Sequence, residues 1–78
     1  MEGSWVEGTT DRITSRGEWT LWILHIEASQ GKGFMPQIKK DSPDIGFCNG
    51  PEFIGTDETW YKTALAYGRV MLNNFTSS

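Results

Sequence analysis

The 78-residue chain is poor in the residues that announce a chemistry: it holds one cysteine, Cys48, and one histidine, His25. A lone cysteine cannot close an intrachain disulfide, so the stapled framework of small secreted domains is excluded and a reducing, cytoplasmic location is expected. No apolar run approaches the roughly twenty residues of a membrane-spanning helix. The opening MEGSWVEGTT carries acidic rather than basic charge and no apolar segment of signal-peptide length, so no export and no membrane are expected. Cationic excess is missing too. Seven Lys and Arg stand against ten Asp and Glu, a formal charge of −3, which gives no general pull toward nucleic acid or anionic lipid. Internal repeats and low-complexity tracts are absent.

What the chain does have is aromatic bulk, with four tryptophans and four phenylalanines in a composition that is 37% hydrophobic. That favours a globular fold over disorder. A domain this short buries only about 60% of its unfolded surface, so the aromatics must supply much of the core. Glycines and prolines, concentrated before the last element, suit a turn-rich sheet.

The segment Ser4 to Thr14 permits a weakly amphipathic edge strand or a loose arm, and SRGE (15–18) reads as a turn in which Gly17 takes positive φ. GEWTLWILHIEAS follows. Its Trp, Ile and Thr content and its bracketing glycines favour a strand over Glu18–Ala28, central in the sheet. SQGKG turns the chain with Lys32 solvated at the tip, and FMPQIKK (34–40) is the antiparallel partner, with Phe34, Pro36 and Ile38 on one face. Pro36 lacks a ladder donor, which predicts an edge strand, a bulge or an outward-facing position. DSPD (41–44) is turn chemistry, Ile45–Asn49 a short strand, and Gly50–Gly55 an extended or bulged segment. Thr56 is the expected N-cap of a helix, with Asp57 and Glu58 in its first turn. Tyr61, Ala64, Leu65, Gly68, Met71, Leu72 and Phe75 form its apolar stripe, Asn73 and Asn74 its stop, and residues 76–78 a frayed tail. Gly68 within that stripe predicts close approach of the helix to a sheet. The expectation is one domain over 1–78, of α+β class: an antiparallel sheet of three to four strands with one C-terminal helix packed on one face.

Period-two geometry sends Trp19, Leu21, Ile23 and His25 to one side of the central strand and Trp22, Leu24, Ile26 and Ala28 to the other. Both sides are apolar, whereas one helix covers only one. The second face then needs the N-terminal arm, through Trp5, Val6 and Ile13, or a second chain, because soluble monomers seldom expose several hundred Å² of apolar surface.

Candidate chemistry is thin. His25 with Cys48 is the only pair suited to nucleophilic catalysis or a transition metal, and it lacks both a recognised signature and further ligands. GKGF is neither a phosphate loop nor an RNA-binding signature, since Met35 and Pro36 follow where those motifs need other residues. Trp19, Trp22, Phe34 and Phe47 could stack bases if exposed, but the cations are dispersed, which disfavours nucleic acid. Asp57/Glu58 and Asp41/Asp44 are explained by helix-dipole and turn roles. The layout of SPDIGF (42–47) followed by GTDETWYKTALAYGR (55–69) resembles the strands-then-helix order of HicB-type antitoxins. It departs from that pattern in lacking a second proline between Ile45 and Gly46, and no family is assigned from it. The function expected is a small non-catalytic module that binds a protein partner or itself, without cofactor or metal. Its candidate interaction surface is Trp19, Leu21, Ile23, His25, Trp60, Tyr67 and Arg69. The alternatives are single-stranded nucleic-acid binding through sheet aromatics and, further off, a thiol enzyme.

Overall fold

Strand-forming residues separated by two tight turns build the meander that dominates the chain. A computed structural model describes residues 5–40 and 46–76. Strand β1 (Thr10–Arg16) turns at Gly17, which adopts φ 64°, into β2 (Trp19–Ala28). The next hairpin is tighter than SQGKG suggested. Only Ser29 and Gln30 lie outside the ladder, because β3 begins at Gly31 and runs to Lys40. Lys32 therefore sits within the strand rather than at a tip, its ammonium 4.7 Å from the centroid of the Trp5 ring. The predicted DSPD turn and Ile45 fall outside the described residues. Beyond them come β4 (Gly46–Asn49), β5 (Phe53–Ile54) and α1 (Glu58–Thr76).

The sheet is antiparallel throughout, in the order β1-β2-β3-β4, and β5 pairs with β3 past the end of β4. With α1 packed on one face, this is the α+β architecture expected, extended by the two-residue β5. Strand β3 is interior, which corrects the edge assignment suggested by Pro36. The His25 amide points to β1, where it donates to the Thr9 carbonyl. Alternation along the ladder then directs residues 34, 36 and 38 of β3 away from β2. At Pro36 that side is the break between β4 and β5, spanned by a bond from the Gly50 amide to the Pro36 carbonyl. The missing donor falls where no strand requires it.

The helix covers the Leu21 and Ile23 side. Leu21 and Ile38 pack with Met71 and Leu72, and Ile23 and Phe34 pack with Tyr61 and Ala64. Ile13 joins both clusters where β1 bulges between Arg12 and Thr14. Each fully buried aliphatic or aromatic side chain contributes about 1.5–3 kcal/mol. Gly68 sits at the closest approach: a Cβ there would lie 2.5 Å from Leu21 Cδ1 and 3.1 Å from Pro36 Cβ. The helix ends differ from expectation. Asp57, not Thr56, is the N-cap, because its Oδ1 accepts the Trp60 amide at 3.3 Å. Asn73 and Asn74 do not stop the helix. Phe75 meets the Trp19 ring edge-on at 5.2 Å, which holds the last turn on the sheet, and Thr76 Oγ1 donates to the Leu72 carbonyl within the helix.

Candidate functional site

His25 is enclosed, with its side chain 3% exposed, and both ring nitrogens are engaged. The Val6 amide donates to Nδ1 at 2.9 Å, so the proton of the neutral ring resides on Nε2, which donates to Asp11 Oδ2 at 2.8 Å. Tyr61 Oη donates to the same carboxylate oxygen at 3.2 Å. Rings of Phe34 and Tyr61 present edge contacts to the imidazole. Beside it, Trp5 Nε1 is shared between the Ile26 and Gly33 carbonyls, each at 3.0 Å. This network fastens residues 5–9 over the end of the helix-covered face. Cys48 is elsewhere. It pairs with Ile38, four places along β3 from the Phe34 that pairs with His25, which is about 13 Å at the ordinary strand rise. The structure does not bring thiol and imidazole together, and among the described residues no group of three His, Cys, Asp or Glu could hold a metal ion.

The candidate surface named from the sequence divides. Leu21 and Ile23 are fully buried, His25 is 9% exposed, and Trp19 packs against the last turn of α1. These four lie on the helix-covered side of the sheet, where Leu21, Ile23 and His25 are buried and Trp19 is half-buried. Trp60 and Tyr67 are exposed and are joined by Phe53, which stacks on one and meets the other edge-on. Arg69 is separated from them. It lines a shallow depression of about 260 Å³ with Thr14, Ser15, Arg16, Leu72 and Asn73. That volume is below the usual range for small-molecule sites, and Arg16 is already committed to Asn73 Oδ1 at 2.6 Å.

The second sheet face is the larger surface. Because residues 5–9 fold on the helix side, through Val6 at His25 and Trp5 against the Phe34 cluster, they do not cover the other side as proposed for the arm. Among the described residues none does. Pairing register places Trp22, Leu24 and Ile26 beside Gln37, Met35 and Gly33, with Phe47 next to Lys39 and Ile54 next to Gly33. The face has two halves. Leu24, Ile26, Met35 and Ile54, together with two glycines, make a flat apolar half near the β2–β3 hairpin. The other half is mixed: Arg12 is the cross-strand neighbour of Trp22, and Lys39 that of Phe47, which is 62% exposed. A Gln37–Asn49 bond and a chain from Arg12 through Ser15 to Thr20 order its polar groups. The register puts two cations on this face and, among the described strand residues, no carboxylate. Of these residues, Trp22, Leu24 and Ile26 were placed by the sequence on a face needing cover and Phe47 among the aromatics able to stack bases, whereas Met35, Arg12 and Lys39 were not singled out. Their signal was the alternation Phe34, Pro36, Ile38 against Met35, Gln37, Lys39, which marks the less apolar side of β3.

In comparisons with known proteins, no family model, curated protein or solved structure matches this chain.

Proposed function

We propose that the chain is a non-catalytic protein-binding module whose working surface is the open sheet face centred on Trp22, Leu24, Ile26 and Met35. The observation that carries this reading is the absence of cover: helix and N-terminal segment both lie on the opposite side. An apolar centre rimmed by polar groups is the usual form of a protein interface. The partner it fits presents an apolar strip with acidic flanks, since Arg12 and Lys39 are the only charges the described strands place there. Substitution Trp22→Ala should weaken capture of such a partner at least about tenfold while leaving the melting temperature nearly unchanged. If a partner recovered from native extract binds Trp22→Ala as well as the parent chain, the reading is wrong.

A second reading has its own observation. Two aromatics, each with a cation as cross-strand neighbour, match the stacking platform of single-strand nucleic-acid binders. Fluorescence titration with single-stranded oligonucleotides separates the two. Binding that falls steeply with salt, by a slope of about one or two, and that is lost in Trp22→Ala would favour nucleic acid over protein.

A further inference from the structure

The segment ahead of β1 is fastened by a titratable group. His25 Nδ1 accepts the Val6 amide at 2.9 Å, and a backbone amide can only donate, so that nitrogen must keep its lone pair. A proton on Nδ1 would meet the amide hydrogen head-on. The bond therefore exists only with the neutral ring. Nor can Nδ1 turn to water instead, because the side chain is 3% exposed and its other nitrogen is held by Asp11.

The surroundings of the ring make this the one bond at stake. From β1, Asp11 Oδ2 lies 2.8 Å from Nε2 and accepts from that nitrogen whether the ring is neutral or cationic. From α1, the Tyr61 hydroxyl donates to the same carboxylate oxygen, and from β3 the Phe34 ring presents its edge. Of the other charged groups toward this end among the described residues, Lys32 sits 4.7 Å from the Trp5 ring centroid and Glu58 pairs with Lys62. Glu7 and Glu27 are exposed, and Arg12 belongs to the opposite sheet face.

Besides Val6, the segment is anchored through Trp5, whose Nε1 is shared by the Ile26 and Gly33 carbonyls and does not titrate. Its other end is a tight turn. The Thr9 amide donates to the Val6 carbonyl, Gly8 takes φ 73°, and a Cβ at Gly8 would meet nothing within 4 Å. The turn thus stands clear of the body of the protein.

We propose that residues 5–9 are a proton-released strap, held closed by neutral His25 and opened when Nδ1 takes up a proton. Closure and the Nδ1 proton exclude each other, so each opening binds one proton. The strap is at full strength above the titration of His25 and weakens as pH falls through it, the opening equilibrium rising by up to about tenfold per pH unit. Opening parts Trp5 from the cluster of Ile23, Phe34, Tyr61 and Ala64 and frees the Ile26 and Gly33 carbonyls. These groups lie on the helix side, away from the open sheet face, so the strap does not depend on the protein-binding reading.

Hydrogen exchange followed by NMR from about pH 8 to pH 5, the range in which histidine changes charge, tests the proposal. Rates are corrected for the intrinsic pH dependence of exchange, and the nitrogen shifts of the imidazole are recorded on the same samples. The Val6 amide and the Trp5 indole proton should lose protection as the ring titrates, at least tenfold across the range, while the amides of β2 and β3 keep theirs. His25→Asn places an acceptor oxygen near the position of Nδ1 and cannot titrate, so its strap should show no pH dependence. Four results would overturn the strap: a ring that stays neutral to pH 5, a ring that titrates while Val6 and Trp5 remain protected, a loss of protection shared equally by β2 and β3, or an unchanged pH dependence in His25→Asn. The first three are read from the parent chain alone.

Discussion

Replacing Gly68 with alanine sets two known quantities against each other. In an isolated helix the change is favourable, by about 1 kcal/mol, because alanine loses less backbone entropy than glycine. Here the new methyl would stand 2.5 Å from Leu21 Cδ1, 3.1 Å from Pro36 Cβ and 3.2 Å from Leu21 Cδ2. Leu21 is fully buried between β1, β3 and the helix, and the Pro36 ring does not rotate. Overpacking of this kind costs about 1–3 kcal/mol. The cost exceeds the propensity gain, so Gly68→Ala should be destabilising by about 1 kcal/mol, a fall of roughly 4–8 °C in Tm for a domain of this size. Thermal and urea melts followed by far-ultraviolet circular dichroism measure it. The mechanism has its own control in Leu21→Val, which removes the colliding Cδ atoms. In that background the alanine should be close to neutral, a coupling of about 1 kcal/mol in the double-mutant cycle. A Gly68→Ala protein more stable than the parent would refute close approach of α1 to β2 and β3 at this point.

Three other substitutions probe the remaining joints. Gly33→Ala should destabilise by more than about 3 kcal/mol, because its Cβ would collide with the backbone of Phe53 and Ile54 rather than with a movable side chain; amide exchange should locate the damage in β5. Asp57→Ala removes the cap on the Trp60 amide and should cost about 1 kcal/mol, with Thr56→Ala near neutral; equal losses at the two sites would return the cap to Thr56. His25→Phe keeps the aromatic volume but strands the Val6 amide and removes a donor to Asp11. It should cost about 1–3 kcal/mol and speed hydrogen exchange across residues 5–9 while β2 and β3 stay protected.

Much of the fold was legible because period and punctuation agreed. Gly17 marks the first turn, alternation and β-branching mark β2, and the three- and four-residue spacing after Asp57 marks α1. Errors came where a tertiary contact outweighed a local signal. Asn73 and Asn74 suit a helix end, but Phe75 against Trp19 draws the helix on by a turn. Pro36 suits an edge, and the interior position it occupies depends on β4 stopping and β5 starting on either side of it, which neither Pro36 nor its neighbours encode. His25 gave no hint that its partner would be the Val6 amide, nineteen positions away in the chain.

The side of β2 that meets the helix could have been decided from its neighbours, though not from β2 alone. Its two faces are near equals, with Leu21 and Ile23 on one and Trp22, Leu24 and Ile26 on the other. Strand β3 breaks the tie. Over its middle it offers Phe34, Pro36 and Ile38 to the first face, with Lys32 and Lys40 only at the two ends, and Gly33, Met35, Gln37 and Lys39 to the second; β1 adds Asp11, bonded to His25 and Tyr61, to the first and Arg12 to the second. Burying that second face under α1 would strand a guanidinium, an ammonium and an amide, each costing more than one exposed aliphatic side chain costs in water. The helix therefore takes the side that is apolar through the middle of both interior strands, and the Trp22 side is left outward. An aliphatic patch fringed by two cations is thus a consequence of how the core was chosen. The pairing of Trp22 with Arg12 and of Phe47 with Lys39 is not, since the fold would be served as well by any polar residue at 12 and 39. If those two cations contribute to recognition, Arg12→Gln with Lys39→Gln should leave the thermal melt unchanged and weaken partner binding, most strongly at low salt. Equal binding at every ionic strength would confine recognition to the aliphatic half.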